Sequence, residues 1–383
     1  MVQKKHVAFL IPTIDSAWLG GVSYLRNLFS VFDEDPEKTF FPILFVGEVK
    51  EPNLLKDFPP HQVVVTNLLK RKSISWFSSK ISEIFFRRNY PLENLLKAHS
   101  IDWISHSIGL GLKTNIPVLG WIPDFQHKHL PEYFSKEEIK KRNITFEKIC
   151  RSGKKIFVSS EHAKKDLADS FPKFQSKAVV FHFVTDAPQQ TKVSQNKEKF
   201  FFLPNQFWKH KNHRVVLEAL LLLKSKNRSD ITVYCTGKTE DYRDPSYFLS
   251  LSQKIHSERL ESQFQIKGVV SKALMNSYLV DCVAVINPSL FEGWSTTVEE
   301  AKSLGKRVIL SNIAVHIEQN PKRSVYFDPN NAQQLAEILE KVWDEYDLAQ
   351  EDKETQAALK ENSRRKNELL SVYKHAVKDS HLI

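Results

Sequence analysis

Two glutamates on either side of a helix start carry the densest chemistry in this sequence. Glu292 falls on a loop, and Glu300 follows after seven intervening residues, in the second turn of the helix that the loop enters. Between them the backbone N–H groups of Ser295, Thr296 and Thr297 crown the helix start, where no intrahelical acceptor is available. Such groups form an anion site suited to a diphosphate. Two carboxylates beside that site would repel a bare phosphate chain, so the ligand that fits carries hydroxyls on either side of the diphosphate. A sugar nucleotide has that shape. The plainer alternative is that acids near a helix start are favoured by its dipole in any protein.

The elements that must position these groups can be read from 286 to 312, INPSLFEGWSTTVEEAKSLGKRVILSN. The apolar run Val283 to Ile286 suits a parallel strand covered on both faces, and Asn287, Pro288 and Ser289 end it. A loop with Glu292, Gly293 and Trp294 follows. Thr296 and Glu299 have capping-box spacing, which predicts a helix starting near Ser295 or Thr296 with Val298, Ala301 and Leu304 turned inward. Gly305 ends it and Arg307 to Leu310 begins the next strand.

Other candidates lie at strand ends, where ligands bind in open α/β sheets. After the strand Val7 to Ile11 comes a Gly20–Gly21 pair entering a helix through Leu25, Leu28, Phe29 and Phe32. Glycine lets backbone N–H groups approach phosphate oxygens closely, although such pairs are often only tight turns. Ile116 to Asp124 reads as a strand delivering Asp124, His127 and His129. Phe200 to Pro204 delivers a basic loop in which Lys211, crowded by His210, Asn212 and His213, offers a mobile positive charge for a leaving diphosphate.

Glu292, Glu300, Ala301 and Gly305 resemble the paired-glutamate motif of family-4 (group 1) retaining glycosyltransferases with the GT-B fold. The resemblance implies an α/β protein of two Rossmann-like βαβ domains facing each other across a deep cleft, with a C-terminal helix crossing back. The domains expected are 1–190 for the acceptor, 191–365 for the sugar-nucleotide donor, and 366–383 as the returning helix; the polar stretch Asp186 to Lys199 reads as the linker. By the same resemblance Glu292 meets the donor sugar, Glu300 holds the ribose, Gly20 and Gly21 face the donor, and the backbone at Gly268 and Val269 supports the base. The donor site would then comprise Gly20, Gly21, Gln206, Lys211, Gly268, Val269, Glu292, Gly293, Trp294, Ser295, Thr296, Thr297 and Glu300, with Lys211, Glu292, Asp124 and His127 as the catalytic set. Two positions depart from the family. Many members have His directly before the Asp at the fifth strand end, where Pro123 stands here, which leaves that role unfilled or moves it to His127. An Arg common five residues before the Lys is Gln206 here, which leaves more of the charge to Lys211.

Length and composition agree. A chain of 383 residues accommodates two domains, and 41% hydrophobic with 26% charged residues is ordinary for a folded protein. Cys150, Cys235 and Cys282 are isolated, with no zinc or disulfide spacing, which points to a reducing cytoplasm. The apolar run Val7 to Pro12 is too short for a signal sequence, and no stretch approaches the roughly 20 apolar residues of a membrane span. The only Asp-x-Asp, Asp33-Glu34-Asp35, falls at the far end of the first helix and reads as a solvated turn, so no metal and no cofactor beyond the donor is expected.

The expected partners are a nucleotide-sugar donor and a glycan or lipid-linked glycan acceptor of cell-surface polysaccharide or lipopolysaccharide synthesis. Leu68 to Arg88 interleaves basic residues with aromatics, which suits either a lipid interface at the inner face of an anionic membrane or a core helix with a solvated basic face. The net charge of +10 is dispersed and no nucleic-acid signature accompanies it. A Rossmann dehydrogenase would rest on Gly109 and Gly111, which lack a third glycine and a helix start. A GT-B sugar-nucleotide epimerase is the nearest enzyme rival.

Overall fold

The β-branched and aromatic runs that read as strands form parallel strands in two separate sheets. In the computed structural model, which describes residues 4–15, 19–106, 113–188 and 198–382, the chain divides into two units. The first comprises Met1–His127, Ser135–Val184 and Arg364–Ile383; the second comprises Lys128–Phe134 and Thr185–Ser363.

In chain order the first unit is built from β1 (Lys5–Ile14), α1 (Leu19–Asp33), β2 (Phe40–Val49), β3 (Gln62–Val65), α2 (Ile74–Phe86), α3 (Tyr90–Ala98), β4 (Trp103–Ser105), β5 (Val118–Ile122), α4 (Gln126–His129, ending in the second unit), α5 (Lys136–Ser152), β6 (Lys155–Val158), α6 (Glu161–Ser170) and β7 (Ala178–Val180). Its sheet has the order β3-β2-β1-β4-β5-β6-β7, parallel throughout. Every neighbouring pair therefore needs a crossover, and the order reverses between β1 and β4. Ala8, Ile43, Phe45 and Ile104 pack on one face with Leu92 and Leu96 of α3. The short strand β7 carries too few residues to show a periodicity and was not legible in the sequence.

The second unit follows with β8 (Phe201–Leu203), α7 (His213–Ser225), β9 (Val233–Thr236), α8 (Tyr247–Ser257), β10 (Phe264–Gly268), α9 (Lys272–Asp281), β11 (Val285–Asn287), α10 (Thr296–Ser303), β12 (Val308–Ser311), α11 (Ala314–Gln319), β13 (Ser324–Phe327), α12 (Ala332–Asp344) and α13 (Leu348–Asp379). Its parallel sheet runs β10-β9-β8-β11-β12-β13, reversing between β8 and β11. One face packs on α7, α8 and α12 through Val216, Leu220, Leu251 and Leu339. The other packs on α10 through Val298, Ala301 and Leu304, the side of that helix expected to turn inward.

The returning helix, expected at 366–383, starts earlier and is one helix of 32 residues, Leu348–Asp379. Its start belongs to the second unit and its end to the first. In the first unit Tyr373 is fully buried among Phe32, Phe40 and Phe157, and its hydroxyl accepts a bond from Trp103 Nε1 at 3.1 Å. The same helix corrects the reading of the Asp33–Asp35 turn. Asp35 is buried rather than solvated, accepting from the Thr39 backbone at 3.1 Å and pairing with Lys374 at 3.0 Å, while Glu34 pairs with Lys366. Lysines of α13 therefore occupy the acids. Gly109 and Gly111, and most of the expected linker, lie outside the described residues.

In the second unit the start of α13 braces the end of α10. Glu351 receives Lys306 at 2.8 Å and Arg323 at 2.6 Å, Thr355 donates to the Leu304 carbonyl at 3.0 Å, and a side chain on Gly305 would meet the Glu354 carbonyl at 2.7 Å. Lys306 and Glu351 are both 2% exposed, so each depends on the other for its charge. Glu351→Ala strands the Lys306 ammonium in the interior, with an expected cost of about 3–5 kcal/mol read in urea unfolding of the variant against the parent.

Candidate functional site in the second unit

The site grows from the point where the strand order reverses, between the carboxyl ends of β8 and β11. Asn205 leaves β8 and Asn287 ends β11, and the Asn205 side-chain amide donates to Asn287 Oδ1 at 3.2 Å. Asn287 in turn donates to Ser295 Oγ at 2.7 Å. The Ser289 hydroxyl lies 2.7 Å from Asn287 Oδ1 and 2.6 Å from Glu292 Oε1. These residues are buried apart from Glu292, so the network fixes the loop after β11 before any ligand arrives.

Lys211 and Glu292, which lie 81 positions apart in the chain, meet as an ion pair at 2.7 Å. The sequence placed Lys211 in a loop as a mobile positive charge; the structure holds its backbone in a single helical turn, Lys209–Lys211. Asn212 closes that turn with a left-handed backbone, φ 55°, which asparagine tolerates. Its side-chain amide donates to the Pro288 and Pro329 carbonyls at 3.2 and 2.9 Å, and Leu290 N donates to the His210 carbonyl at 2.8 Å. The basic loop is thus tied to the acidic one. Burial works to raise the Glu292 carboxyl, and the Lys211 charge, His316 and the hydrogen bonds from Lys211 and Ser289 together outweigh it, holding the group below its ordinary value of 4.5.

His316 of α11 stands close behind this pair and was not found from the sequence. Its Nδ1 lies 2.9 Å from the Ser311 carbonyl, which only accepts, so Nδ1 carries the proton. Nε2 is buried with no hydrogen-bond partner. Burial pushes the ring down to about 4, so it is neutral at pH 7.

The helix start differs in detail from the capping box expected at Thr296 and Glu299. Ser295 is the N-cap and accepts from Val298 N at 3.3 Å, so Glu299 lies one position beyond the box and instead receives Gln319 Nε2 at 3.0 Å. Gln319 also accepts from Ser295 N at 3.2 Å, which removes that N–H from the expected anion site. The first-turn N–H groups of Thr296 and Thr297 remain, and an N-terminal turn without intrahelical acceptors is where an anion binds. Glu300 pairs with Lys272, the first residue of α9, at 2.8 Å. Gly293 lies beside Glu292 on the same loop and Trp294 is buried. Gly268 ends β10 in a left-handed conformation, φ 67°, with open space at its Cα, and Val269 beside it is exposed. Gln206 is half-buried in the loop after β8.

The remaining candidates belong to the first unit. Gly20 and Gly21 form the first turn of α1, Gly20 exposed and Gly21 buried, rather than a turn ahead of it. Asp124 accepts from the Gln126 backbone at 2.9 Å and pairs with Arg142 at 2.6 Å. His127 is buried, packed against Phe125 and Phe146, with Nε2 2.9 Å from Asn143 Oδ1. That is the setting of a core histidine. His129, grouped with it in the sequence reading, falls in the second unit, where its ring stacks on Phe291 beside Glu292 at 5.2 Å.

The first unit also has a site at its own reversal point, which the sequence did not single out. A cavity of about 700 Å³ lies at the ends of β1 and β2, bordered by Thr13, Asp15, Glu48, Lys50, His106 and Trp121. His106 follows β4 with a left-handed backbone, φ 52°. It is held between Tyr24 Oη at 2.7 Å and Ser105 Oγ at 2.8 Å, and burial lowers it to about 3, so it too is neutral. Trp121 stacks on Tyr24 at 4.6 Å and gives the cavity an aromatic wall.

The Lys211–Glu292 pair has a pH signature. In the parent the folded-state pKa of Glu292 is depressed, so its contribution to stability is complete above about 4.5 and is lost as pH falls through the folded value. In Lys211→Met the charge and hydrogen bond of the lysine are gone, and burial, the largest influence on the group, is expected to raise the folded pKa above the unfolded one against the remaining Ser289 hydrogen bond. Stability of the variant then falls as pH rises through 4.5 towards that new value. The stability gap between parent and variant is expected to widen between about pH 4 and pH 7, measured by urea unfolding across that range.

Residues 185–366 match the family model described as Glycosyl transferases group 1. No curated protein sequence matches the chain significantly. Among solved structures, Anabaena HepE in complex with UDP and glucose is similar over 99% of this chain and 100% of its own, at 16% identity and a TM-score of 0.71. A glycosyltransferase from Rickettsia africae ESF-5 is similar over 98% of this chain and 99% of its own, at 18% identity and a TM-score of 0.66. WaaG, a glycosyltransferase involved in lipopolysaccharide biosynthesis, is similar over 98% and 99%, at 13% identity and a TM-score of 0.59. At these identities the structures speak for the fold alone. The two parallel sheets with their flanking helices are the GT-B architecture, and residues 185–366, within the second unit and the start of the returning helix, carry the match to the group 1 glycosyl transferases.

Proposed function

We propose that this protein transfers a hexosyl group from a nucleotide-diphosphate sugar to a glycan or lipid-linked glycan, with retention of configuration and without a metal ion. The observation that carries the reading is the Lys211–Glu292 pair on the loops at the reversal point of the second sheet, the Glu292 loop leading directly into the first turn of α10 at the N–H groups of Thr296 and Thr297. A diphosphate against those N–H groups draws the Lys211 ammonium towards its oxygens. As the bond from the sugar to the diphosphate breaks, negative charge grows on the departing phosphate, and a fixed cation with oriented N–H dipoles stabilises it where it forms. Glu292, kept ionised by Lys211 and oriented by Ser289, accepts hydrogen bonds from the sugar hydroxyls. Glu300 has the same relation to the ribose, with Lys272 offsetting its charge in the absence of ligand.

UDP-glucose and other UDP-sugars are the first donors to test, because the Anabaena neighbour is described with UDP and glucose; GDP-sugars come next. The acceptor is assigned to the cavity of the first unit. Its aromatic wall suits the face of a sugar ring, and the Asp15, Glu48 and Lys50 side chains suit hydroxyls. The lipopolysaccharide role of WaaG makes a cell-surface glycan the leading acceptor class. His127 packs under α5 and does not border the cavity, whereas neutral His106 does and takes its place as the histidine of the acceptor side.

The matching donor at about 100 times its dissociation constant is expected to stabilise the protein by ~2.7 kcal/mol in a thermal-shift screen of UDP-, GDP- and ADP-sugars. No response to any of them would sink the donor reading. Glu300→Ala is expected to weaken nucleotide binding about 10- to 100-fold. Lys211→Ala is expected to lower turnover by about 10²–10³-fold, and full activity would contradict the role given to Lys211. The anomeric configuration of the product, read by NMR, tests retention. Conversion of the donor without any acceptor would instead mark an epimerase.

A further inference from the structure

Helix α2 of the first unit is turned the wrong way round for a helix that faces water. Its N-cap Ser73 accepts from Trp76 N at 3.0 Å, and Arg87 closes it in a left-handed conformation. On the protein side it buries Ser79 and Ser82, 1% and 8% exposed, with the Ser79 hydroxyl left without a partner. On the outer side it presents Ile74, Phe77, Ile81, Ile84 and Phe85, which are 90%, 52%, 53%, 74% and 76% exposed. Their spacing, i, i+3, i+7, i+10 and i+11, places all five on one stripe about 100° wide. Half a turn of rotation would bury that stripe and solvate the serines, so packing within this unit does not explain the orientation. Exposed apolar side chains are common singly; a contiguous stripe is the mark of a surface with a partner.

The charges around the stripe select the partner. Arg71 and Lys72 precede the helix, where cations oppose its dipole, so they do not serve helix stability. Arg87 stands at the other end. None of the three has a carboxylate partner among the described residues. The acid of the helix, Glu83, is turned to Lys80 at 2.7 Å and Lys148 at 3.6 Å. A second copy meeting α2 with its own α2 would set cation against cation, the acid of that helix, Glu83, being already engaged. A sheet of anionic headgroups over acyl chains supplies both what the stripe and what the cations lack. The geometry points to α2 as a membrane-docking helix, which lays Ile74, Phe77, Ile81, Ile84 and Phe85 into the headgroup boundary of an anionic lipid surface while Lys72 and Arg87 engage its phosphates. This does not depend on the donor reading.

The test is co-sedimentation of the full chain with vesicles of phosphatidylglycerol mixed with phosphatidylcholine, against vesicles of phosphatidylcholine alone. Binding to the anionic vesicles only, weakened by salt, is expected. Lys72→Gln with Arg87→Gln should lower the affinity roughly thirtyfold. Ile81→Ser with Phe85→Ser should lower it about a hundredfold while leaving the urea midpoint and the nucleotide-sugar thermal shift unchanged, because both side chains are already outside the fold. Equal binding to neutral vesicles, no binding to either, or unaltered binding by the serine variant overturns the proposal. So does a stable dimer in sedimentation velocity that the same serine substitutions dissociate.

Discussion

A buried carboxylate needs a cation, and in the second unit that need ties together two loops from opposite halves of a sheet. Lys211 and Glu292 stand on the loops that follow the two strands between which the sheet order reverses, and hydrogen bonds tie those loops to each other. The Asn205–Asn287 bond sets the distance between those strands' ends, Ser289 aims the carboxylate, and Asn212 anchors the basic turn to the Pro288 and Pro329 carbonyls. The arrangement is preorganised: the cation is held against Glu292, on the loop that enters α10, before a ligand is present, and a charge fixed in advance acts on a developing anion without reorganisation.

The surrounding fold supports that pair from behind. Gln319 grips the start of α10 at Ser295 and Glu299, and Glu351 with Thr355 braces its end through Lys306 and Leu304. A short helix of eight residues would fray on its own, so its N-terminal turn is only as well placed as these contacts make it. Both braces come from later in the chain. The last helix does comparable work in the first unit, where Lys366 and Lys374 neutralise the acids at the end of α1 and Tyr373 fills an aromatic core. What reads as a charged tail in one dimension is a structural member in three.

Both units place a polar cluster at the reversal of their strand order, as the topology of parallel sheets dictates: crossovers leave in opposite directions there and open a crevice at the carboxyl ends. In the second unit that cluster is acidic and basic; in the first it is a cavity walled by Trp121 and by a histidine kept neutral.

The α/β alternation, the strand-loop-helix-Gly-strand passage through 286–312 and the inward side of α10 were all determined by the sequence itself, because apolar periodicity and the glycine stop at Gly305 are local properties. The spacing of Glu292 and Glu300 was likewise legible. Asn205, Asn287 and Ser289 carried a signal that could have been used, since each is polar and directly follows an apolar strand. Other features had none. His316, Gln319 and Lys272 meet the site from helices whose position depends on chain packing, and the capping role falls to Ser295, whose backbone Gln319 contacts, rather than to Thr296. His127 looked available at a strand end and is buried because α5 covers it. The orientation of α2 was likewise ambiguous, since an amphipathic pattern states which residues share a face but not which face turns inward. Pairings across 81 residues and the choice of a helix's buried side are decided by which elements the tertiary structure brings against each other, and a linear pattern contains no term for that.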